Sequence, residues 1–218
     1  MDKQRKVWQK LIKNKLHYGF KQVVNYVSQN TLVVSLFLTL TIGVVIGSLV
    51  FRDSGETNVS LQSLFTQFVN ARSNVPFFRI FCRSLLGFLL PLILCYFLGL
   101  FMYGFVPCYL LMLAHGMGYG SVCSYIYSAM GLKGVAFVML VILPSGFIHM
   151  VVLQLAAREA FCFSVILSRS YFLDVTVLAP ANRLKRYHVR YLVLAAFIIL
   201  AALLDGLLSY VFLDVFLA

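Results

Sequence analysis

"LVVSLFLTLTIGVVIGSLVF" fills residues 32–51 without a single charged side chain. A helix rising 1.5 Å per residue needs about 20 apolar residues to cross the roughly 30 Å hydrocarbon core of a bilayer. This run has that length. Lipid offers no hydrogen bonds to the backbone, so a span of this kind satisfies its own amides as a helix.

Four further runs repeat the pattern: Ser84–Tyr103, Pro107–Met130, Gly134–Leu155 and Tyr191–Phe212. The whole chain of 218 residues is 61% hydrophobic and 11% charged, with a mean hydropathy of +0.92. Globular proteins carry about 25% charged residues, so this composition belongs to a membrane protein and leaves little room for a soluble domain. The expected fold is all-α, a polytopic helical membrane protein of about five transmembrane helices with amphipathic interfacial helices. Residues 32–218 form one transmembrane domain, preceded by a basic amphipathic segment, 1–31.

A sixth apolar stretch, "EAFCFSVILSRSYFLDVTVL" (159–178), is interrupted by Arg169 and Asp174. Each would cost about 2.5–3.5 kcal/mol at the centre of a span. It reads as an interfacial or cytoplasmic helix continuing from the fourth span.

Charge sets the orientation. Lys3, Arg5, Lys6, Lys10, Lys13, Lys15 and Lys21 precede the first span against one acid, Asp2. The positive-inside rule puts this end in the cytoplasm. Five spans then also place Arg158, Arg169, Arg183, Lys185, Arg186 and Arg190 inside, within a cytoplasmic segment 156–190. The outer loop, 52–83, runs against the trend with Arg52, Arg72, Arg79 and Arg83, and the larger basic blocks outweigh it. Both the basic and the apolar run are too long for a cleaved signal peptide, so an uncleaved anchor is expected. No nucleic-acid partner is expected.

Two segments outside the spans are amphipathic. Trp8, Leu11, Ile12, Leu16, Phe20, Val23, Val24 and Val27 recur at helical spacing among the lysines, as in a helix resting on the lipid bilayer's anionic leaflet. In "VSLQSLFTQFV", Leu61, Leu64, Phe65, Phe68 and Val69 fall on one stripe. That stripe either packs on its own bundle or meets a partner.

The third span gives up side chains: "HGMGYGSVCSYIYSAMGLKG" covers residues 115–134. Gly116, Gly120, Ser124 and Ser128 recur every fourth residue as a ridge of small residues, with Gly118 widening it at one end. In lipid, helices associate through close backbone approach rather than a hydrophobic effect, and such ridges permit it. Packing inside the bundle is the expected use. A partner's anchor or a second copy of the chain is the other.

Serines and histidines near spans, Ser121, Ser145, His115 and His149, offer the ingredients of a serine hydrolase. Hydroxyls in spans usually bond their own backbone, however, and no further catalytic signature accompanies them. No H-E-x-x-H run is present, so neither a catalytic nor a metal site is expected, and no cofactor is implied. Cys82, Cys95, Cys108, Cys123 and Cys162 read as small apolar residues. Asp205, in "LAALLDGLLSY", is an intramembrane acid, either bonded structurally to a serine, a backbone group, Arg79 or Arg83, or part of a polar path.

The run Gly99–Pro144 resembles the stage II sporulation protein M family of bacterial membrane proteins. His115 and Gly116, the second glycine Gly120, the turn Met130, Gly131 and Gly134, and then Leu143 and Pro144 fall in the family's order. Gly99 and Gly104 match upstream, and Pro107 stands one place later than the family's proline. Asp205 and Ser209 stand where the family has an acid followed by Ser or Thr. Ser145 and Gly146 replace a polar pair ending in Asn, and Tyr210 replaces a proline. The resemblance implies a non-enzymatic scaffold of endospore engulfment that holds peptidoglycan hydrolases similar to stage II sporulation proteins D and P. The alternative is a small transporter or channel, with Asp205, His115 and Pro144 marking its path. Five spans do not divide into the inverted halves common in transporters.

Overall fold

The structure, a computed structural model, describes residues 30–53, Ser63, 75–172 and 180–217. Among the described residues, five helices carry the fold: α1 (Thr31–Asp53), α2 (Phe77–Leu100), α3 (Phe105–Phe137), α4 (Leu143–Phe172) and α5 (Pro180–Leu217), with a π-helical turn, Val138–Ile142, between α3 and α4. No strand occurs among the described residues. The basic segment before Asn30 and the stripe Leu61, Leu64, Phe65, Phe68 and Val69 lie outside them.

Contacts divide the chain after Ser35. In the first unit, the Val34 amide bonds the Asn30 carbonyl at 3.1 Å and the Ser35 hydroxyl bonds the Leu32 carbonyl at 2.9 Å, opening α1. All that follows concerns the second unit, from Leu36 onward.

Four helical stretches are long and apolar enough to cross a membrane: Thr31–Leu49, Phe77–Leu100, Phe105–Tyr171 and Asn182–Phe212. The third, of 67 residues, would be about 100 Å long if straight, some three times the hydrocarbon thickness. It is not straight. Gly131 takes φ 56° and ψ −130°, a conformation essentially reserved for glycine. Beyond it, Gly134 lies against the Ile126 carbonyl, and Ile126, Phe137, Val138 and Val141 close into one buried cluster. Farther along the arms, the His115 and His149 rings come within 4.9 Å between centroids. The stretch is therefore an antiparallel hairpin, and its arms are the expected third and fourth spans.

Boundaries shift where proline and arginine allow it. α2 begins at Phe77, not Ser84, because Pro76 (φ −60°, ψ 142°) supplies an extended N-cap and Arg79 and Arg83 sit exposed on the helix surface. It ends at Leu100, short of Tyr103, in a turn closed by the Phe101 amide on the Leu98 carbonyl (3.2 Å) and the Gly104 amide on the Phe101 carbonyl (3.0 Å). Pro144 lacks the N–H that the Leu140 carbonyl would accept, and its ring crowds that carbonyl. The wider π-helical turn sits directly before it, and the Leu143 amide reaches back to Val138.

The fourth span runs on without interruption to Phe172, so residues from Glu159 continue it as helix. "NRLKRYHVR" forms the first turns of α5, which starts on Pro180. α2, α4 and α5 pack most extensively on one another. Ala156, Ala160 and Ser164 make a fully buried stripe of small residues on α4, and Ala201 and Ala202 are likewise fully buried on α5, beside the larger Ile198.

Candidate functional site: a glycine seam and a polar clamp

The ridge on α3 is occupied by the chain's own first span. A Cβ on Gly116 would strike the Leu40 carbonyl, and one on Gly120 the Val44 carbonyl. The relation is reciprocal: Gly43 lies on the Leu113 carbonyl and Gly47 on that of Met117. Numbers rise together on the two helices, so α1 and α3 run parallel, each presenting two glycines four residues apart. Backbones this close gain dispersion and Cα–H···O contacts along the seam. Ser124 extends it, its hydroxyl donating to the Ser48 carbonyl at 3.3 Å.

The seam is narrower than the sequence pattern suggested. Ser128 is exposed, and a Cβ on Gly118 would meet nothing within 4 Å, so Gly118 does not widen the ridge: two residues from Gly116 on a helix is the opposite side. Met130, Gly131 and Gly134 build the hairpin turn and Pro144 follows the π-helical turn, none of them on the seam. Gly43 and Gly47 were not singled out from the sequence, although "IGVVIGS" carries the same four-residue spacing.

Asp205 sits on α5 with 5% of its surface exposed. Ser84 of α2 donates to one carboxyl oxygen at 2.5 Å and Ser145 of α4 to the other at 3.0 Å. Three helices meet on one acid. In hydrocarbon an unsatisfied carboxyl oxygen has no solvent to turn to, so these two hydroxyls offset much of what burial costs the acid. Ser145, which marks a departure from the family pattern, is half of this clamp.

Deeper along the same helices lies a second polar group. His149, one turn beyond Ser145, is 1% exposed and stacks on Phe88 at 4.4 Å, with the His115 ring at nearly a right angle to it. Tyr119 packs on His115 and against Gly146. Among the described residues, neither nitrogen of His149, nor Nε2 of His115, nor the Ser209 hydroxyl has a hydrogen-bond partner. Ser121 donates to the Gly118 carbonyl, so neither it nor Ser145 bonds a histidine. Among the described residues no three His, Cys, Asp or Glu side chains converge as metal ligands would.

At the opposite end, tyrosines tie the helices together. Tyr187 donates to the Tyr96 carbonyl and Tyr191 to the Ala156 carbonyl, each at 2.8 Å, while Phe163 stacks on Tyr187. Ser164 accepts the Phe105 amide (3.1 Å) and donates to the Phe101 carbonyl (2.8 Å), which pins the α2–α3 turn. These tyrosines and Ser164 were not foreseen. Their sequence signal is only the interfacial tyrosine belt common to spans.

Fold and site together define a multi-pass helical membrane protein held by a parallel glycine seam and a buried acid shared among three helices. The profile of the stage II sporulation protein M family matches residues 35–210, and the chain belongs to that family. The match begins on α1 and ends on α5, so it takes in the seam and the clamp. No curated protein and no solved structure matches the chain significantly.

Proposed function

We propose that this sporulation membrane protein is a non-catalytic scaffold, its N-terminus cytoplasmic, that anchors and localises peptidoglycan hydrolases during endospore engulfment. The observation that carries the reading is the family match over residues 35–210. Two structural features support it. Asp205 has both carboxyl oxygens bonded by serines from two other helices, a use that braces the bundle. The Gly116–Gly120 ridge is filled by α1, which leaves the outer loop around Leu61, Leu64, Phe65 and Phe68 and the lipid-facing helix surfaces as the places for partners.

Affinity purification of the tagged chain from its sporulating host in mild detergent, followed by mass spectrometry, tests the proposal. Hydrolases resembling stage II sporulation proteins D and P should co-elute, and Leu64→Asp with Phe68→Asp should release them. Elution without any wall hydrolase would sink the scaffold reading. The second reading, a small transporter or channel, draws on Nε2 of His115 and the two ring nitrogens of His149, which have no hydrogen-bond partner among the described residues. Proton or cation flux in liposomes, abolished by His149→Phe, would favour it.

A further inference from the structure

Between α4 and the first turns of α5 lies a cleft of about 200 Å³. Its walls carry three arginines, Arg183, Arg186 and Arg190, one acid, Glu159, and the apolar Phe163 and Ile166. Arg190 is paired with Glu159. Arg183 and Arg186 are exposed and have no carboxylate partner among the described residues. Among the described residues, no acid compensates these two positive charges, which share the cleft with an apolar wall.

Its depth in the bilayer follows from α5. The charge-free part of that helix runs from Tyr191 to Leu204, is interrupted by Asp205, and continues to Phe212. These 22 residues span about 33 Å, the thickness of the hydrocarbon core. Arg190 therefore marks its edge, and Arg186 and Arg183 stand about 6 and 10 Å beyond it, at the level of lipid headgroups. Guanidinium groups bind phosphate oxygens in pairs, and basic pockets between spans at this depth suit phospholipid headgroups.

We propose that this cleft binds the phosphates of an anionic phospholipid, best of all a diphosphatidylglycerol, whose two phosphodiesters match Arg183 and Arg186 while an acyl chain lies along Phe163 and Ile166. A free phosphate ion shares the charge but cannot use the apolar wall. The site is independent of any hydrolase partner.

The test uses the full chain, purified and delipidated in a neutral detergent, with diphosphatidylglycerol added and bound lipid counted by native mass spectrometry. Arg183→Gln with Arg186→Gln should weaken retention about thirtyfold, because each change removes a direct charge-assisted hydrogen bond to a phosphate. Lys185→Gln, which removes a neighbouring charge outside the cleft, should change it less than twofold. Equal losses per charge in Lys185→Gln and the arginine variant would reduce the effect to diffuse attraction and overturn the site. Displacement of the lipid by millimolar inorganic phosphate would also overturn it, in favour of a free-anion site. If the double variant melts below the parent without lipid, Arg183→Gln alone, in the exposed first turns, carries the same comparison with about a fivefold expected loss.

Discussion

Gly118 and Gly120 lie on one helix, two residues apart, and the seam makes opposite demands on them. A methyl on Gly120 would collide with the Val44 carbonyl, with the Val44 carbonyl carbon at 2.9 Å and the Ser48 amide at 3.0 Å, all backbone that cannot rotate away. A methyl on Gly118 would meet nothing within 4 Å. Alanine is the better helix former by up to about 1 kcal/mol, a gain available at both sites. Only at Gly120 is it set against overpacking of about 1–3 kcal/mol as α1 and α3 are forced apart. Gly118→Ala should therefore match or exceed the parent, and Gly120→Ala should fall below it, with a gap of about 2 kcal/mol. Reversible unfolding in mixed detergent micelles, followed by circular dichroism, measures that gap. Gly120→Leu should abolish folded protein altogether. Equal stability of the two alanine variants would refute the seam, because helix propensity alone cannot separate them.

The clamp yields a second expectation: Ser84→Ala and Ser145→Ala should each destabilise by about 0.6–1.7 kcal/mol, the range for hydrogen bonds between spans. Removing both should cost more than the sum, since the acid then keeps neither hydroxyl, and a double-mutant cycle checks this. Gly131→Ala should lower stability by about 1–3 kcal/mol through backbone strain at φ 56°, read from the same unfolding curves, while an alanine at Gly87, with open space around it, should not. Tyr191→Phe should lose about 0.5–1.5 kcal/mol, because it keeps the ring packing and gives up only the bond to the Ala156 carbonyl. A Tyr191→Phe melting curve that overlays the parent's would assign that end of the bundle to packing alone.

Much of the architecture is legible in residue order because lipid imposes one strong rule, a span of about 20 apolar residues. That rule locates α1 within two residues at either end and the far end of the α5 span at Phe212, whereas the α5 helix starts well before Tyr191, on Pro180. It misplaces the start of α2, since Arg79 and Arg83 look like loop residues until a helix surface lets their stems lie along it. The ridge at Gly116 and Gly120 shows in the spacing, but its occupant does not, because a four-residue repeat says nothing about which helix comes near. The matching repeat at Gly43 and Gly47 was the available clue. Asp205 stands out by its expense in lipid, and a serine partner is the simplest expectation. That its serines are Ser84 and Ser145, 121 and 60 positions away, depends on how α2, α4 and α5 assemble and has no local signature.

The placing of Asp205 bears on the order in which the ribosome delivers the helices. α2 and α4 emerge before α5, and their serines can wait in the bilayer by bonding their own preceding turn, as Ser145 does with the Ile142 carbonyl at 3.3 Å. The acid has no such resting place. It enters last, and its cost in lipid is lowest when Ser84 and Ser145 of the two earlier helices are there to receive it, so the membrane's aversion to a carboxyl group favours the bundle in which α2 and α4 have met. A chain whose α2 and α4 have failed to meet would hold that carboxyl without those hydroxyls, at a cost of about 2.5–3.5 kcal/mol on insertion scales.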